Sequence, residues 1–376
     1  MVRYFSNDQP LSRVEPLPHL INSLARIITE NSPDRAAAEP GGLFHGTLSI
    51  AYLFFRLSIT HPKIDVEGRP MSHWFQEYFE QSQVIKSSIP RPGKCGIIQD
   101  YLLSLALYIA STKDEEAAQM LCEQSSVLVE DDDCSPEWLY GLAGYLYLLR
   151  LAMKSLPSDA KVQNYVQSTA EVVAEKLIRM RRPWTWHEKA YLGAAHGAIG
   201  IITQIVLTVP SFAKDVQKDL EDVLDLQLEN GNWPSSLPDG GIAETAGKDR
   251  LVQFCHGAPG VIVSLLSIMK YFPELRPRIE TAIQRGRECI WARGLLVKEP
   301  CLCHGISGNA MALEGRQLDH FMTFTTEEAI GRHQSSGIMT SSDSPYSLMG
   351  GEAGRAWAWA VAEGNLARTI IGYNDI

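Results

Sequence analysis

The chain has 376 residues, of which 45% are apolar, and it carries 44 acidic against 34 basic residues for a net charge of −10. This acidic balance, without a Lys/Arg stripe carrying interleaved aromatic residues, argues against a nucleic-acid partner. The longest apolar runs are far shorter than the roughly 20 residues that span a bilayer, and the charged, proline-containing N-terminus is unlike a signal peptide. Seven scattered cysteines do not suit a disulfide-stapled secreted domain. We therefore expect a cytoplasmic protein with no transmembrane segment, whose cysteines are reduced thiols or metal ligands.

Residues 1–35 predict an arm and one helix around HLINSLARIITEN, and from Gly41 onward the chain repeats itself. A glycine-containing turn followed by an apolar, helix-like segment recurs roughly every 50 residues, a period typical of helical-pair repeats. The seven copies begin at Gly41, Lys94, Leu139, Tyr191, Phe254, Cys301 and Tyr346. The sequence therefore predicts an array of seven similar units.

More polar segments lie between these turns, for example NYVQSTAEVVAEKLIRM, and their apolar residues, three and four apart, predict amphipathic helices. Each repeat thus predicts a buried apolar helix and a partner with one face in water. An open array would expose the apolar helices, whereas a ring buries them and gathers the glycine turns at one end. We therefore expect an all-α fold, a seven-repeat α/α toroid or double-layered α-helical barrel. Because no linker divides the chain, residues 1–376 predict a single domain, with residues 1–35 packed on the ring.

A Cys-His-Gly triplet occurs in two successive turns, as FCHGAPG at residues 254–260 and CLCHGISGN at residues 301–309. In a closed ring, Cys255 would meet Cys303 and His304, a ligand set that Zn²⁺ accepts with its fourth position open for water or a substrate. A helix N-terminus also favours the thiolate form that binds metal. The alternative is that the cysteines are small buried hydrophobic side chains and that the histidine caps backbone groups. Because a fourth ligand would close the site, we expect His256 to support the ligands or the fold.

His196 occupies the equivalent turn of the fourth repeat, in GAAHGAIG. An imidazole facing the same axis could act as a general acid or base near neutral pH. Without a metal nearby, a buried structural histidine would explain the residue equally well.

The segments LYGLAGYLYLL, YLGAAHGAIGI, LVQFCHGAPGVI, LCHGISGNA and SPYSLMGGEAG together resemble the lanthionine synthetase C-like family, particularly its eukaryotic branch, which is similar to the bacterial lantibiotic cyclases. The resemblance covers essentially the whole chain. It implies a seven-repeat toroid that holds one Zn²⁺ through Cys255, Cys303 and His304, with His196 as the active-site histidine. It also implies glutathione binding by Lys298, in LLVKEPCLCHG, and by Arg3, in MVRYF; the alternative for both is an ordinary exposed cation.

The chain departs from the family pattern in three places. Bacterial cyclases carry an arginine where this chain has Leu251, with Arg250 one position away. Eukaryotic relatives usually have an acidic residue at the position of Gly350, for which Glu352 is a candidate replacement. The additional Cys301 could compete as a ligand or become oxidised.

The resemblance implies a zinc-dependent enzyme that adds a thiol to dehydroalanine or dehydrobutyrine residues and forms a thioether by a Michael-type addition. The expected partners are glutathione or another thiol, such as a peptide cysteine, and a dehydrated peptide or protein. A non-catalytic glutathione-binding or scaffold protein is one alternative. A zinc prenyltransferase is another, although its site characteristically includes a carboxylate ligand that these turns do not supply. Glycoside hydrolysis needs paired carboxylates, for which the turns offer only Glu352 and Asp100.

Overall fold

The structure is a computed structural model that describes residues 3–36, 40–82, 93–158, 161–237, 249–364 and 366–376. Helices α1 to α9 span Pro16–Glu30, Pro33–Ala36, Gly42–His45, Thr47–Thr60, Met71–Ser82, Asp100–Thr112, Glu115–Glu130, Leu142–Ser155 and Lys161–Arg179. Helices α10 to α17 span Ala198–Thr208, Gln217–Asp225, Ala258–Ile268, Arg276–Arg293, Ile306–Ala310, Arg316–Thr323, Glu327–Ser335 and Glu352–Glu363. Strands β1, Asp65–Val66, and β2, Arg69–Pro70, form a short antiparallel hairpin. Within these ranges, no helix combines the length and the apolarity needed to cross a bilayer.

The helices form two concentric layers. The inner helices are α4, α6, α8, α10, α12, α14 and α17, and each packs against the next, with α17 returning to α4. The first eleven residues of α8 are all buried, whereas in the outer helix α9 only one stripe is buried. This difference follows from sequence, because α8 is apolar nearly all round and α9 is amphipathic. The predicted all-α, seven-repeat toroid is therefore the observed fold.

The seven glycine turns are joined into a closed ring by backbone hydrogen bonds at one end of the barrel. The donor and acceptor pairs are Leu43 N and Ile97 O (2.9 Å), Ile97 N and Trp138 O (3.5 Å), Trp138 N and Ala195 O (3.3 Å), Ala195 N and Cys255 O (3.4 Å), Cys255 N and Cys303 O (3.1 Å), Cys303 N and Met349 O (2.9 Å), and Met349 N and Phe44 O (3.1 Å). Because the last bond returns to the first turn, the ring leaves no open edge.

The tight backbone within each turn explains the second glycine of each Cys-His-Gly motif. A Cβ atom on Gly260 would lie 1.9 Å from the carbonyl oxygen of Phe254, and one on Gly308 would lie 1.9 Å from that of Leu302. No side chain fits there without moving the backbone, so the motif repeats because the turn repeats.

The last residues of the chain fill the ring. The Asp375 carboxylate accepts hydrogen bonds from the hydroxyls of Tyr52 (2.8 Å) and Tyr147 (2.9 Å) and pairs with Arg56 at 3.0 Å. The Tyr373 ring packs edge-on against both Trp138 and Phe254. Since Trp138 and Phe254 belong to two of the turns, this C-terminal segment supports the end of the barrel where the candidate site lies.

The N-terminal arm and α1 lie on the outside of this framework. Helix α1 packs against α17. Residues of the arm pair with the segment that leads to Lys298, since Tyr4 and Leu296 form an antiparallel bridge and Phe5 N donates to Leu295 O at 2.7 Å.

Candidate active site

Cys255 and Cys303 meet in neighbouring turns of the ring. Each lies in the irregular segment immediately before an inner helix, and the backbone N–H of Cys255 donates to the carbonyl oxygen of Cys303 at 3.1 Å. Each thiol is close enough to the other to shift its pKa. The cysteines are only 8% and 6% exposed. The ring closure thus brings together two of the predicted metal ligands.

The surroundings of this pair favour one thiolate. The hydrogen bond from the Cys303 thiol holds the pKa of Cys255 below its usual value despite the opposing effect of burial. Nε2 of Gln253 also donates to the Cys255 sulfur at 3.0 Å, and nearby Lys298 acts in the same direction. The same thiol–thiol bond, with burial, raises the pKa of Cys303 well above its usual value. Cys255 is therefore the more acidic thiol of the two.

His304 and His256 are both neutral near pH 7. Burial and the positive charge of Lys298 lower the pKa of His304 to about 4. Burial, His196 and Lys298 lower the pKa of His256 to about 4, and its buried Nδ1 has no hydrogen-bond partner. A neutral imidazole keeps the lone pair that a metal ligand needs.

The donor set suits zinc in its chemistry, because it combines two adjacent buried thiols with a neutral imidazole. Across the described part of the chain, however, no three His, Cys, Asp or Glu side chains are already grouped as metal ligands. The structure thus brings together the two cysteines of the three predicted ligands, and His304 does not complete a three-ligand group. Zinc binding stays a prediction.

His196 lies in the preceding turn, where it forms a pair with Glu137. Nδ1 of His196 is 2.7 Å from Oε2 of Glu137, whose side chain is 0% exposed. The backbone N–H groups of Leu139 and Tyr140 donate to the same carboxylate at 2.9 and 2.5 Å. Because both carboxylate oxygens of Glu137 already act as acceptors for backbone N–H groups, we assign the proton of this contact to Nδ1, which leaves Nε2 of His196 available.

An aromatic wall covers the His196 ring. Trp186 stacks on it with ring centroids 3.9 Å apart and an angle of 3° between the planes. Tyr191 and His256 approach the ring with centroids 6.0 Å away. Since Ala195 N also bonds to Cys255 O at 3.4 Å, His196 stands one turn away from the thiol pair.

Lys298 and Arg3 lie on neighbouring backbone segments beside the thiol pair. Nζ of Lys298 donates to Oε1 of Gln253 at 3.3 Å, and Gln253 in turn contacts Cys255. The carbonyl oxygen of Arg3 accepts a hydrogen bond from Val297 N at 3.1 Å, and the Arg3 side chain is exposed. Lys298 and His304 line one cavity of about 350 Å³, together with Gly350. The structure thus places Lys298 at a cavity that reaches a predicted metal ligand.

The residues at which the chain departs from the family pattern have structural roles or lie at the surface. Glu352 is buried and forms ion pairs with Arg355 and with Arg26, the latter at 3.5 Å. It is therefore held by two arginines. Burial raises the pKa of Cys301 to about 12, so its thiol stays protonated, and Arg250 is exposed.

Asp100, considered as a candidate carboxylate for glycoside hydrolysis, caps the first turn instead. Its carboxylate accepts hydrogen bonds from Gly41 N at 3.1 Å and from Gly42 N at 3.0 Å. Both hydrogen bonds hold the backbone at the start of α3, so Asp100 has a structural role.

Three residues of the site were missed by sequence reasoning. Glu137 could have been noticed as the only charged residue in the stretch CSPEWLYGLAG, immediately before the third turn. Gln253 lies two residues before Cys255 and carries no signal of its own. Trp186 comes from a loop outside the repeated pattern, and the local sequence does not predict that it stacks on His196.

Comparison with known proteins agrees with this architecture. A family model described as lanthionine synthetase C-like protein matches residues 37–361. Glutathione S-transferase LANCL1 of Danio rerio is 30% identical over 235 residues, which make up 57% of this chain and 56% of that protein. LanC-like protein GCL1 of Arabidopsis thaliana is 32% identical over 192 residues, 47% of this chain and 41% of the plant protein. The chain thus matches about half the length of these curated relatives.

Among solved structures, nisin cyclase is similar in fold. The two chains share 15% sequence identity with a TM-score of 0.61, and the match covers 94% of this chain and 98% of nisin cyclase. At this low identity, the similarity supports the α/α toroid architecture alone.

Proposed function

The chain belongs to the lanthionine synthetase C-like family, and from that premise we propose that it is a thiol-activating enzyme that adds glutathione, or a peptide cysteine, to dehydroalanine or dehydrobutyrine residues. The observation that carries the proposal is the position of the Cys255–Cys303 thiol pair one turn from the His196–Glu137 pair. The first pair suits the activation of a sulfur nucleophile, and the second suits proton transfer.

Cys255, Cys303 and His304 are the residues that would hold zinc. When bound, the ion supplies the Lewis acidity that lets an incoming thiol lose its proton at neutral pH. This chain's own residues bind and orient the reactants around that position. Lys298, at the cavity of about 350 Å³, would bind a glutathione carboxylate, and Arg3 on the neighbouring segment would bind another.

The proposed reaction forms one carbon–sulfur bond and moves one proton. The thiol sulfur bonds to the β-carbon of the dehydroamino acid, and the electron pair of the carbon–carbon double bond shifts to the α-carbon. Nε2 of His196 accepts the proton that the thiol releases and then delivers it to the α-carbon, so the step is balanced without any other proton source. Glu137 holds Nδ1–H, and Trp186 shields the His196 ring from water.

Mass spectrometry of a dehydroalanine peptide incubated with glutathione and the protein tests this function. The expected product carries one added glutathione, and the His196→Asn variant should form it much more slowly. The variant His73→Asn, on the outer helix α5 and in the lining of neither cavity, provides the matched control. Binding of glutathione without a mass gain, under conditions where the protein is folded and holds one zinc per chain, would instead support a non-catalytic glutathione-binding protein.

A further inference from the structure

A cavity of about 1000 Å³ lies beside the His196 site and shares no lining residue with the smaller cavity at Lys298. Tyr140 and Trp186 form part of its wall. The Trp186 ring that lines this cavity is the same ring that stacks on His196 at 3.9 Å. The cavity is therefore separated from the proposed proton donor by a single aromatic side chain.

The size of the two cavities suits two different ligands. Ligand pockets in proteins commonly enclose about 300–1,000 Å³. The cavity at Lys298, about 350 Å³, is at the small end of that range, and the one beside Trp186 is at the large end. If the smaller cavity holds the thiol, the larger one is available to the molecule that carries the acceptor double bond.

The charge of the larger cavity is unusual for this chain. Its lining includes four basic residues and only two acidic ones, Asp132 and Asp133, in a protein whose net charge is −10. The basic residues are Lys94, Lys176, Arg179 and Arg181. This part of the surface is thus locally cationic, and it attracts anionic groups.

Two of these cations have no acidic partner among the described residues. Lys94 is exposed, with Nζ 5.7 Å from the centroid of the Tyr140 ring, and Arg181 is exposed beyond the end of α9. Lys176 pairs with Asp132 at 3.0 Å, but the Asp132 side chain is 96% exposed and easily displaced. Positive charge is therefore available to a ligand.

We propose that this cavity binds the segment of a peptide or protein substrate that flanks the dehydroamino acid, and that it selects segments rich in Asp and Glu. The inference rests on the proposed function and extends it to the class of acceptor. Carboxylates of the segment pair with Lys94 and Arg181, while its apolar atoms pack on Tyr140 and Trp186. The dehydroamino acid itself extends past Trp186 toward His196.

Binding of an unreactive peptide tests the site without depending on catalysis. The probe is a fluorescein-labelled peptide with several Glu residues and an alanine in place of dehydroalanine, and the comparison peptide has Gln in place of each Glu. Fluorescence anisotropy should show tighter binding of the Glu peptide, weakening as salt rises. Equal binding of both peptides, or none of the Glu peptide, overturns the proposal.

Charge reversal locates the binding. In the Lys94→Glu/Arg181→Glu variant, the dissociation constant of the Glu peptide should rise about tenfold. The control Lys63→Glu/Lys214→Glu reverses two exposed cations outside the cavity and should change it little. Equal weakening of binding by the two variants would show that the cavity is not an acidic-peptide site. The same conclusion follows if a single-stranded oligonucleotide displaces the labelled peptide at a lower concentration than unlabelled Glu peptide does.

Addition of glutathione to N-acetyl-dehydroalanine methyl ester separates this inference from the proposed function. This small acceptor has no flanking segment, so the cavity variant should process it at the wild-type rate while losing activity on the Glu-rich dehydroalanine peptide. Lack of addition to any acceptor by the wild-type protein would contradict the proposed function. Normal addition with no preference between acceptors would contradict only the cavity assignment.

Discussion

Oε2 of the fully buried Glu137 lies 2.7 Å from Nδ1 of His196, although the two residues come from different repeats of the ring. The backbone bond from Trp138 N to Ala195 O joins their two turns directly. The pair therefore depends on ring closure, and its geometry fixes which imidazole nitrogen is free to exchange a proton.

Replacing Glu137 with glutamine should reduce the rate of glutathione addition on the order of 10²-fold. The amide has nearly the same shape, but it can donate to Nδ1 and thereby leave the wrong nitrogen of His196 protonated. The kcat should fall while the KM for glutathione changes little. Steady-state kinetics with a dehydroalanine peptide measure both constants.

The control for this change is Glu280→Gln, which alters an exposed carboxylate paired with Arg276 on an outer helix. Its rate should match that of the wild type, and circular dichroism should show both variants folded at the assay temperature. If Glu137→Gln retains full activity, His196 does not need its carboxylate partner, and the assigned proton-transfer role is wrong.

The Cys255→Ala and Cys303→Ala variants should each lose most of the bound zinc. Each substitution removes one of two sulfurs from turns that the Cys255 N to Cys303 O bond joins, and the open-site arrangement depends on three protein ligands. Inductively coupled plasma mass spectrometry should find about one zinc per wild-type chain. Cys122→Ala is the matched control, because Cys122 is a buried thiol on α7 away from the turns.

Zinc at the wild-type level in both site variants would show that these cysteines are not the ligands. A wild-type protein that binds no zinc after reconstitution would point instead to a purely structural thiol pair. Either result can be obtained without any assay of activity.

The sequence predicted the features that arise within a single repeat. Turn spacing indicated seven helical pairs, and closing them into a ring placed Cys255 beside Cys303. The contacts between repeats were harder to predict. Local backbone N–H groups orient the Glu137 carboxylate, and the bond from Trp138 N to Ala195 O brings it to the turn that carries His196. The C-terminal residues 370–376 lie outside the repeated pattern, yet all of them except Asn374 and Ile376 are buried because the ring has an interior to fill.

Lys298→Met should raise the KM for glutathione about tenfold. Methionine preserves much of the apolar stem but removes the charge that faces the cavity at His304. The effect should be smaller for 2-mercaptoethanol, which lacks the carboxylates that the ammonium group would bind. Steady-state kinetics with the two thiols give the comparison.

Lys63→Met, at an exposed cation outside the cavity, serves as the control. If Lys298→Met slows both thiols equally, the lysine acts through the nearby thiol pair, whose pKa values it influences, and not by recognising glutathione. No loss with either thiol would make it an ordinary surface cation.

Asp375→Ala should lower the free energy of unfolding by about 3 kcal/mol. The Asp375 side chain is 0% exposed and pairs with Arg56 at 3.0 Å, so the substitution leaves a largely buried guanidinium without its charge partner. It also removes the acceptor for the hydroxyls of Tyr52 and Tyr147. Urea denaturation followed by circular dichroism measures the change.

The matched control is Glu280→Ala, which breaks an ion pair whose two side chains are 53% and 64% exposed. Water solvates Arg276 after that loss, so the unfolding midpoint should hardly move. Equal effects of the two substitutions would mean that the C-terminal segment is not anchored through Asp375. The Tyr373 ring contacts Trp138 and Phe254, which are next to Glu137 and Cys255. If Asp375→Ala alone lowers stability and also reduces the zinc content, the C-terminal segment inside the ring holds the turns in place.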